Sequence, residues 1–250
     1  MMKRFFITLS YSGKNYCGWQ IQPNAISVQQ TLQEALSTLM RNKIDIVGAG
    51  RTDSGVHARE MMAHFDWIDN DLNTEELSMK LNRFLPKDIA IHSIDEVVYD
   101  AHARFNALSR TYSYTVTQTK DPFLNDYKCR VFFNPDIDRM NRLCTILMET
   151  DDFTSFSKLH TDVKTNICKL KHAHWEQVDE DYVFTIQADR FLRNMVRAIV
   201  GTLLLAGRGR LDEEGLQQII DAKNRSAAGE SAPADALFLE KVEYPNDIWI

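Results

Sequence analysis

One order of elements, written twice, constrains this chain more than any other feature. Phe5-Phe6-Ile7-Thr8-Leu9 alternates as a strand, and Ser27 to Met40 carries Val28, Leu32, Ala35, Leu36 and Leu39 on one helical face. Ser27 with Gln30 offers a capping box at the start of that helix. Strands around 44–49 and 61–67 follow. Asn73 with Glu76 then opens a second amphipathic helix that Pro86 ends, and Ile89 to Val97 reads as a closing strand. The second half repeats the order. Arg110–Thr117 alternates, Asp138–Glu149 is helical, and Asn166–Gln177 and Tyr182–Ala188 read as strands. Arg190–Leu205 is the strongest helical pattern, with Gly207 as its stop; Leu211–Ala222 is a further helix and Ala236–Tyr244 a last strand. This order predicts an α+β fold of two similar halves, each a sheet with helices on one face. Residues 1–104 form the first and 105–250 the second. A chain of 250 residues is long enough for two modest domains with a substantial core.

Composition narrows the class without naming a function. The 44% hydrophobic and 26% charged content is that of a soluble globular protein, and no apolar run approaches a membrane span. Met1 to Leu9 has basic residues followed by apolar ones, but the run ends at Ser10 with no small-residue cleavage site. Cys17, Cys129, Cys144 and Cys168 are scattered, as expected of reduced thiols in a cytoplasmic protein. The net charge of −6 argues against a nonspecific nucleic-acid coat. Local basic clusters, such as Arg190/Arg193/Arg197 and Arg208/Arg210, leave room for cations gathered on one face.

The chemistry points to Gly50-Arg51-Thr52-Asp53-Ser54-Gly55-Val56-His57-Ala58. A single carboxylate lies between two glycines, on the loop joining two strands. Gly50 and Gly55 are expected to allow unusual backbone angles and a close approach by another molecule. The plain alternative is an Asx-type turn in which Asp53 bonds its own backbone. His57 is read as bonding backbone rather than shuttling protons, and His172 and His174 share a strand face without a third ligand, so no metal is expected. With 100° per residue, Arg190, Arg193 and Arg197 fall on one face of their helix, opposite Phe191, Met195 and Ile199.

The loop has company. Tyr11-Ser12-Gly13, Gly18-Trp19-Gln20-Ile21-Gln22-Pro23, Arg110-Thr111-Tyr112-Ser113-Tyr114, Phe191-Leu192-Arg193-Asn194-Met195-Val196-Arg197 and Ala232-Pro233-Ala234-Asp235-Ala236-Leu237 flank it in order. With the Gly50–Ala58 run, they make nearly the whole chain resemble the tRNA pseudouridine synthase A family. The resemblance implies two halves joined into one continuous, mostly antiparallel sheet with a central cleft. It implies isomerisation of uridine to pseudouridine at positions 38, 39 and 40 of the tRNA anticodon stem-loop, by a homodimer using no cofactor and no metal. Asp53 matches the family's catalytic aspartate, whether it attacks base or sugar or removes a sugar proton. Arg197 matches its guanidinium partner, Tyr112 the tyrosine stacked on uracil, Arg51 an arginine holding the flipped nucleotide by its phosphates, and Leu237 an apolar wall. Tyr114 is read as packing. Ala236 stands where glycine is common, and Cys168-Lys169 where an arginine is frequent. Two rivals remain in view: an RNA-binding module of two sheet-and-helix halves without catalysis, and an acid-dependent hydrolase, which ordinarily recruits a second carboxylate or a metal.

Overall fold

The computed structural model describes residues 2–68, 72–158 and 165–250. They form an α+β fold that divides into two compact units, residues 1–108 with 239–250, and residues 109–238.

In the first unit, β1 (Lys3–Tyr11) lies between β4 (Ile89–Val97) and β3 (His57–Trp67), antiparallel to both, with Ile7 opposite Ile94 and Ala63. The two-residue β2 (Val47–Gly48) joins β3, and β9 (Leu237–Glu243) lies on the other side of β3. Helices α1 (Val28–Met40) and α2 (Thr74–Phe84) pack on each other, and α2 packs on β4. Both start as expected: Ser27 Oγ accepts the Gln30 N–H at 3.2 Å, and Asn73 Oδ1 accepts the Glu76 N–H at 3.0 Å. Only half of the α1 capping box forms, because the Gln30 amide turns forward to Glu34.

Strand β1 does not simply alternate. Phe5, Phe6 and Ile7 are all buried, so both faces are covered there. Phe6 takes ring edges from Tyr244 and Trp249, at centroid distances of 5.2 and 5.7 Å. The Val98 N–H bonds the Ile248 carbonyl at 2.9 Å, and the Leu108 N–H bonds the Glu243 carbonyl at 2.7 Å. Residues 239–250 therefore belong with the first unit, whereas division at 104/105 leaves them with the second. Aromatic burial and edge bonding by residues distant in sequence draw them there, which no local pattern registers.

In the second unit, β8 (Asp181–Ala188) is central, antiparallel to β5 (Ser109–Thr117) and β7 (Leu170–Val178). A short β6 (Cys129–Arg130) runs parallel to β5. Helices α3 (Ile137–Met148), α4 (Met195–Gly207) and α5 (Glu213–Asp221) complete it, with α3 against β7 and α4. Its core includes Tyr114, Phe184 and Trp175 on adjacent strands, the last two stacked at 5.0 Å, with Leu143, Leu147, Ile199 and Leu203 from the helices.

Two expectations about α4 are overturned. The helix begins at Met195, not Arg190, because Asn194 adopts the left-handed region at φ 65° and forces a corner before it. Arg190 and Arg193 thus stand on the segment leading into the helix, and the three-arginine face does not exist. Gly207 is also not the stop. It is the last helical residue, where a side chain would meet Met140 Sδ at 2.7 Å; the left-handed turn comes at Gly209, φ 73°.

Candidate active site

The loop bearing Asp53 is held by a second loop, residues 11–19, also in the first unit. The Trp19 N–H bonds the Thr52 carbonyl at 3.3 Å, and the Tyr11 hydroxyl pairs with Thr52 Oγ1 at 2.9 Å. The Tyr16 carbonyl accepts from the Gly55 N–H at 3.4 Å and from Ser54 Oγ at 3.3 Å. Inside its own loop, Asp53 offers its carbonyl to the Val56 N–H at 3.2 Å. Every neighbour of Asp53 from 52 to 55 is therefore tied down, while Asp53 is half-buried and Arg51 exposed.

Close packing of the two loops explains which glycines are required. A Cβ on Gly18 would lie 2.2 Å from the Thr52 carbonyl oxygen, and one on Gly13 would lie 2.0 Å from that of Val56. Gly18 and Gly55 also sit at φ 84° and 81°, where a side chain is strained. Gly50 is different. It has no positive φ, and a Cβ there would meet nothing within 4 Å. The expectation of an unusual backbone angle therefore holds for Gly55 and is corrected for Gly50; Gly13 and Gly18 in the partner loop are required as well.

His57 is 1% exposed, and its Nδ1 accepts the Gly13 N–H at 3.0 Å. It bonds backbone, as its place on the loop implied, and the accepting Nδ1 leaves the neutral ring's proton on Nε2. Beyond it, Tyr16 Oη donates to Asp88 Oδ1 at 2.7 Å, Asn15 Nδ2 donates to Asp88 Oδ2 at 3.0 Å, and the Ser12 N–H donates to the Asp88 carbonyl at 2.9 Å. Burial first, then Asp88, pushes the Tyr16 phenol well above its usual range, so it stays a donor. Sequence reasoning missed Asp88. It is an isolated acid before β4, 35 positions from Asp53, and nothing local marks it.

Tyr112, Arg197 and Leu237 all stand in the second unit. Tyr112 sits on β5 opposite Ile186, half-buried, with the Phe191 ring edge-on to it at 5.2 Å and 90°. Phe191 lies on the non-helical lead into α4, and Arg197 is in the first turn. The Arg197 Nε–H donates to the Ala232 carbonyl at 2.7 Å, and the Ala232 N–H returns a bond to the Arg197 carbonyl at 2.9 Å. The same segment is strapped along α4. The Gly229 N–H bonds Thr202 Oγ1 at 2.9 Å, Asn194 Nδ2 bonds Ser231 Oγ at 2.6 Å, and Gly201 leaves room for the Glu230 carbonyl. It then delivers Leu237, 4% exposed, to the start of β9. Ala236 is fully buried, its carbonyl accepting from the Thr115 N–H at 3.3 Å. One strap thus places Arg197 and Leu237, and the lead into α4 places Phe191 against Tyr112.

Tyr114, two residues along β5 from Tyr112, is wholly buried. Burial raises its phenol far above the ordinary value; nearby Cys129 and Asp235 push the same way, and Arg197 opposes them. Burial likewise pushes the Cys144 and Cys168 thiols up to about 12, which leaves both unreactive.

Comparison with known proteins places matches along most of the chain. A family model described as tRNA pseudouridine synthase matches residues 7–106 and 146–245. Over 248 residues the chain is 57% identical to a tRNA pseudouridine synthase A of Parabacteroides distasonis, covering 99% of this chain and 98% of that protein. It is 57% identical over 251 residues to one of Bacteroides thetaiotaomicron, covering 99% and 93%. At greater distance it is 37% identical over 245 residues to one of Clostridium acetobutylicum, covering 97% and 100%.

Proposed function

We propose that this chain, which belongs to the tRNA pseudouridine synthase family, isomerises uridine to pseudouridine at positions 38, 39 and 40 of the tRNA anticodon stem-loop. The ribose C1′–N1 bond breaks, the uracil turns, and C1′ joins C5. N1 gains a proton and C5 loses one, so the product has the formula of the substrate. No electrons change hands and no group enters from outside, so the reading assigns no cofactor.

Asp53 is the catalytic carboxylate, acting on base or sugar as a nucleophile or on a sugar proton as a base. Extruding the target base from its stack costs a few kcal/mol; Tyr112 receives it by stacking, with Leu237 as the apolar wall. Arg51 holds the flipped nucleotide through phosphate, which suits a planar guanidinium. Arg197 is the counter-charge that keeps the acid ionised. The enzyme works as a cytoplasmic homodimer. Among the described residues, no helix is long and apolar enough to cross a membrane.

The observation that carries this reading is the immobilised loop around one carboxylate. A noncatalytic RNA-binding module has no use for an acid held that way close to phosphates. The test is tRNA tritiated at uridine C5, supplied without added metal or cofactor. The wild-type chain is expected to release label, and Asp53→Ala to release none while still binding tRNA. Steady release by Asp53→Ala would overturn the assignment.

A further inference from the structure

We infer that Tyr16 and Asp88 are positioning residues for catalysis, setting the placement of the Asp53 carboxylate through the loop that carries it. This inference rests on Asp53 being the catalytic group, as proposed above.

Tyr16 is a two-ended strut. Its carbonyl accepts from both residues that follow Asp53, Ser54 at 3.3 Å and Gly55 at 3.4 Å. Its phenol, at the other end of a side chain only 6% exposed, donates to the Asp88 carboxylate at 2.7 Å. A hydroxyl bonded to an ionised carboxylate is among the stronger hydrogen bonds a protein makes. Asp88 also takes Asn15 on its second oxygen and the Ser12 N–H on its carbonyl, so three separate bonds pin residues 12–16 to the start of β4. Strand β4 is in turn paired along β1, from Arg4 opposite Val97 to Tyr11 opposite Ile89. The loop before Asp53 therefore inherits the rigidity of the sheet.

The bonds to the Asp53 loop are themselves long, at 3.3 and 3.4 Å, and Ser54 is exposed. A loop held by such contacts keeps its position only if the partner loop does not drift. That is what the Asp88 clamp provides. Tyr16 and Asp88 act on where the Asp53 backbone sits, and through it on where the carboxylate points. Placement matters steeply in catalysis, where a shift of about 1 Å can cost on the order of 100-fold in rate.

The test measures single-turnover rate, kcat and KM for tRNA in Tyr16→Phe, Asp88→Ala, Asp88→Asn and the Tyr16→Phe/Asp88→Ala double variant. We expect kcat to fall about tenfold or more in Tyr16→Phe and Asp88→Ala, with KM within about twofold. The double variant should lose little beyond Asp88→Ala, because that change already removes the bond that Tyr16→Phe removes. Asp88→Asn keeps an oxygen to accept from the phenol and is expected to recover most of the rate. Leu143→Ala, a buried change in α3 of the second unit, serves as a variant of comparable lowered stability and should keep wild-type kcat.

Should Tyr16→Phe fail to fold, Asn15→Ala removes only the exposed 3.0 Å bond to Asp88 and should lower kcat with KM unchanged. Wild-type kcat in the Tyr16 and Asp88 variants, with Asp53→Ala inactive, overturns this inference and leaves the proposed function standing. Equal loss in Leu143→Ala overturns it too, as mere destabilisation. Activity in Asp53→Ala defeats the proposed function itself.

Discussion

Asn141 meets the backbone of Trp175 with both ends of its amide: Nδ2 donates to the Trp175 carbonyl at 2.9 Å, and Oδ1 accepts the Trp175 N–H at 2.8 Å. Trp175 lies on β7, which among the described strands pairs with β8 alone, so these groups face the open side of the strand. The first unit repeats the device. Asn82 on α2 bonds the Ile91 carbonyl and N–H, both at 2.8 Å, on the outer strand β4. Each unit thus closes part of its exposed strand edge with an asparagine from the neighbouring helix, which removes a template for pairing with other chains.

Asn141→Leu is expected to leave two backbone groups of β7 without their partners, at about 1–3 kcal/mol. Urea denaturation should show a lower midpoint, and the variant should aggregate sooner on heating. An unchanged midpoint would mean that water replaces the amide at no cost.

His64 should set part of the acid sensitivity. It is 5% exposed, its Nδ1 accepts the Ala103 N–H at 3.1 Å, and Phe6 and His102 pack against its ring. Burial chiefly, then the charges of Arg4 and His102, lowers its pKa from 6.5 to about 4, with Asp66 opposing. Because the unfolded chain takes up the proton first, stability is full above about pH 6.5 and declines as pH falls toward 4, by on the order of 3 kcal/mol. His64→Gln should flatten that part of a stability–pH profile; an unaltered slope would assign it to other groups.

Glycine substitutions separate two positions that look alike in sequence. Gly18→Ala drives a Cβ to 2.2 Å from the Thr52 oxygen at a φ of 84°, so melting temperature and activity should both drop sharply. Gly50→Ala meets open space and should leave the melting temperature within a degree or so. Equal damage at both would contradict the packing of the two loops.

Salt dependence should report on the basic segment before α4 and on Lys169, whose backbone is bonded to it. The Asp189 carboxylate is turned to backbone, its Oδ1 accepting the N–H groups of Lys169 at 2.8 Å and Arg190 at 2.7 Å. Lys169→Ala and Arg193→Ala are each expected to raise KM for tRNA several-fold with kcat unaffected, and to reduce the salt slope by about 0.7–0.9 for each phosphate that is no longer neutralised. A slope equal to that of the wild type would remove these cations from the RNA path.

Much of this architecture is legible in the chain because periodicity and caps are local. Strand β4 falls at Ile89–Val97 as read, and Ser27 and Asn73 cap the helices they precede. The rest depends on partners far away or on a single dihedral. Asn194 turns the chain before α4 although Arg190–Leu205 keeps a helical apolar pattern, so the pattern alone puts the start five residues early. Asp88 matters only through three bonds to a loop more than 70 positions earlier. The Gly50–Ala58 run, conspicuous as a motif, takes its shape from Gly13 and Gly18, whose role shows only when the two loops are together.

The return of residues 239–250 to the first unit has a consequence for biosynthesis. A ribosome that has released residues 1–108 has still not supplied β9 to lie beside β3, or Tyr244 and Trp249 to cover Phe6. The part that bears Asp53 is completed only after the whole of the other unit has been translated, so a prematurely terminated product leaves an aromatic ring uncovered for cellular proteases to find.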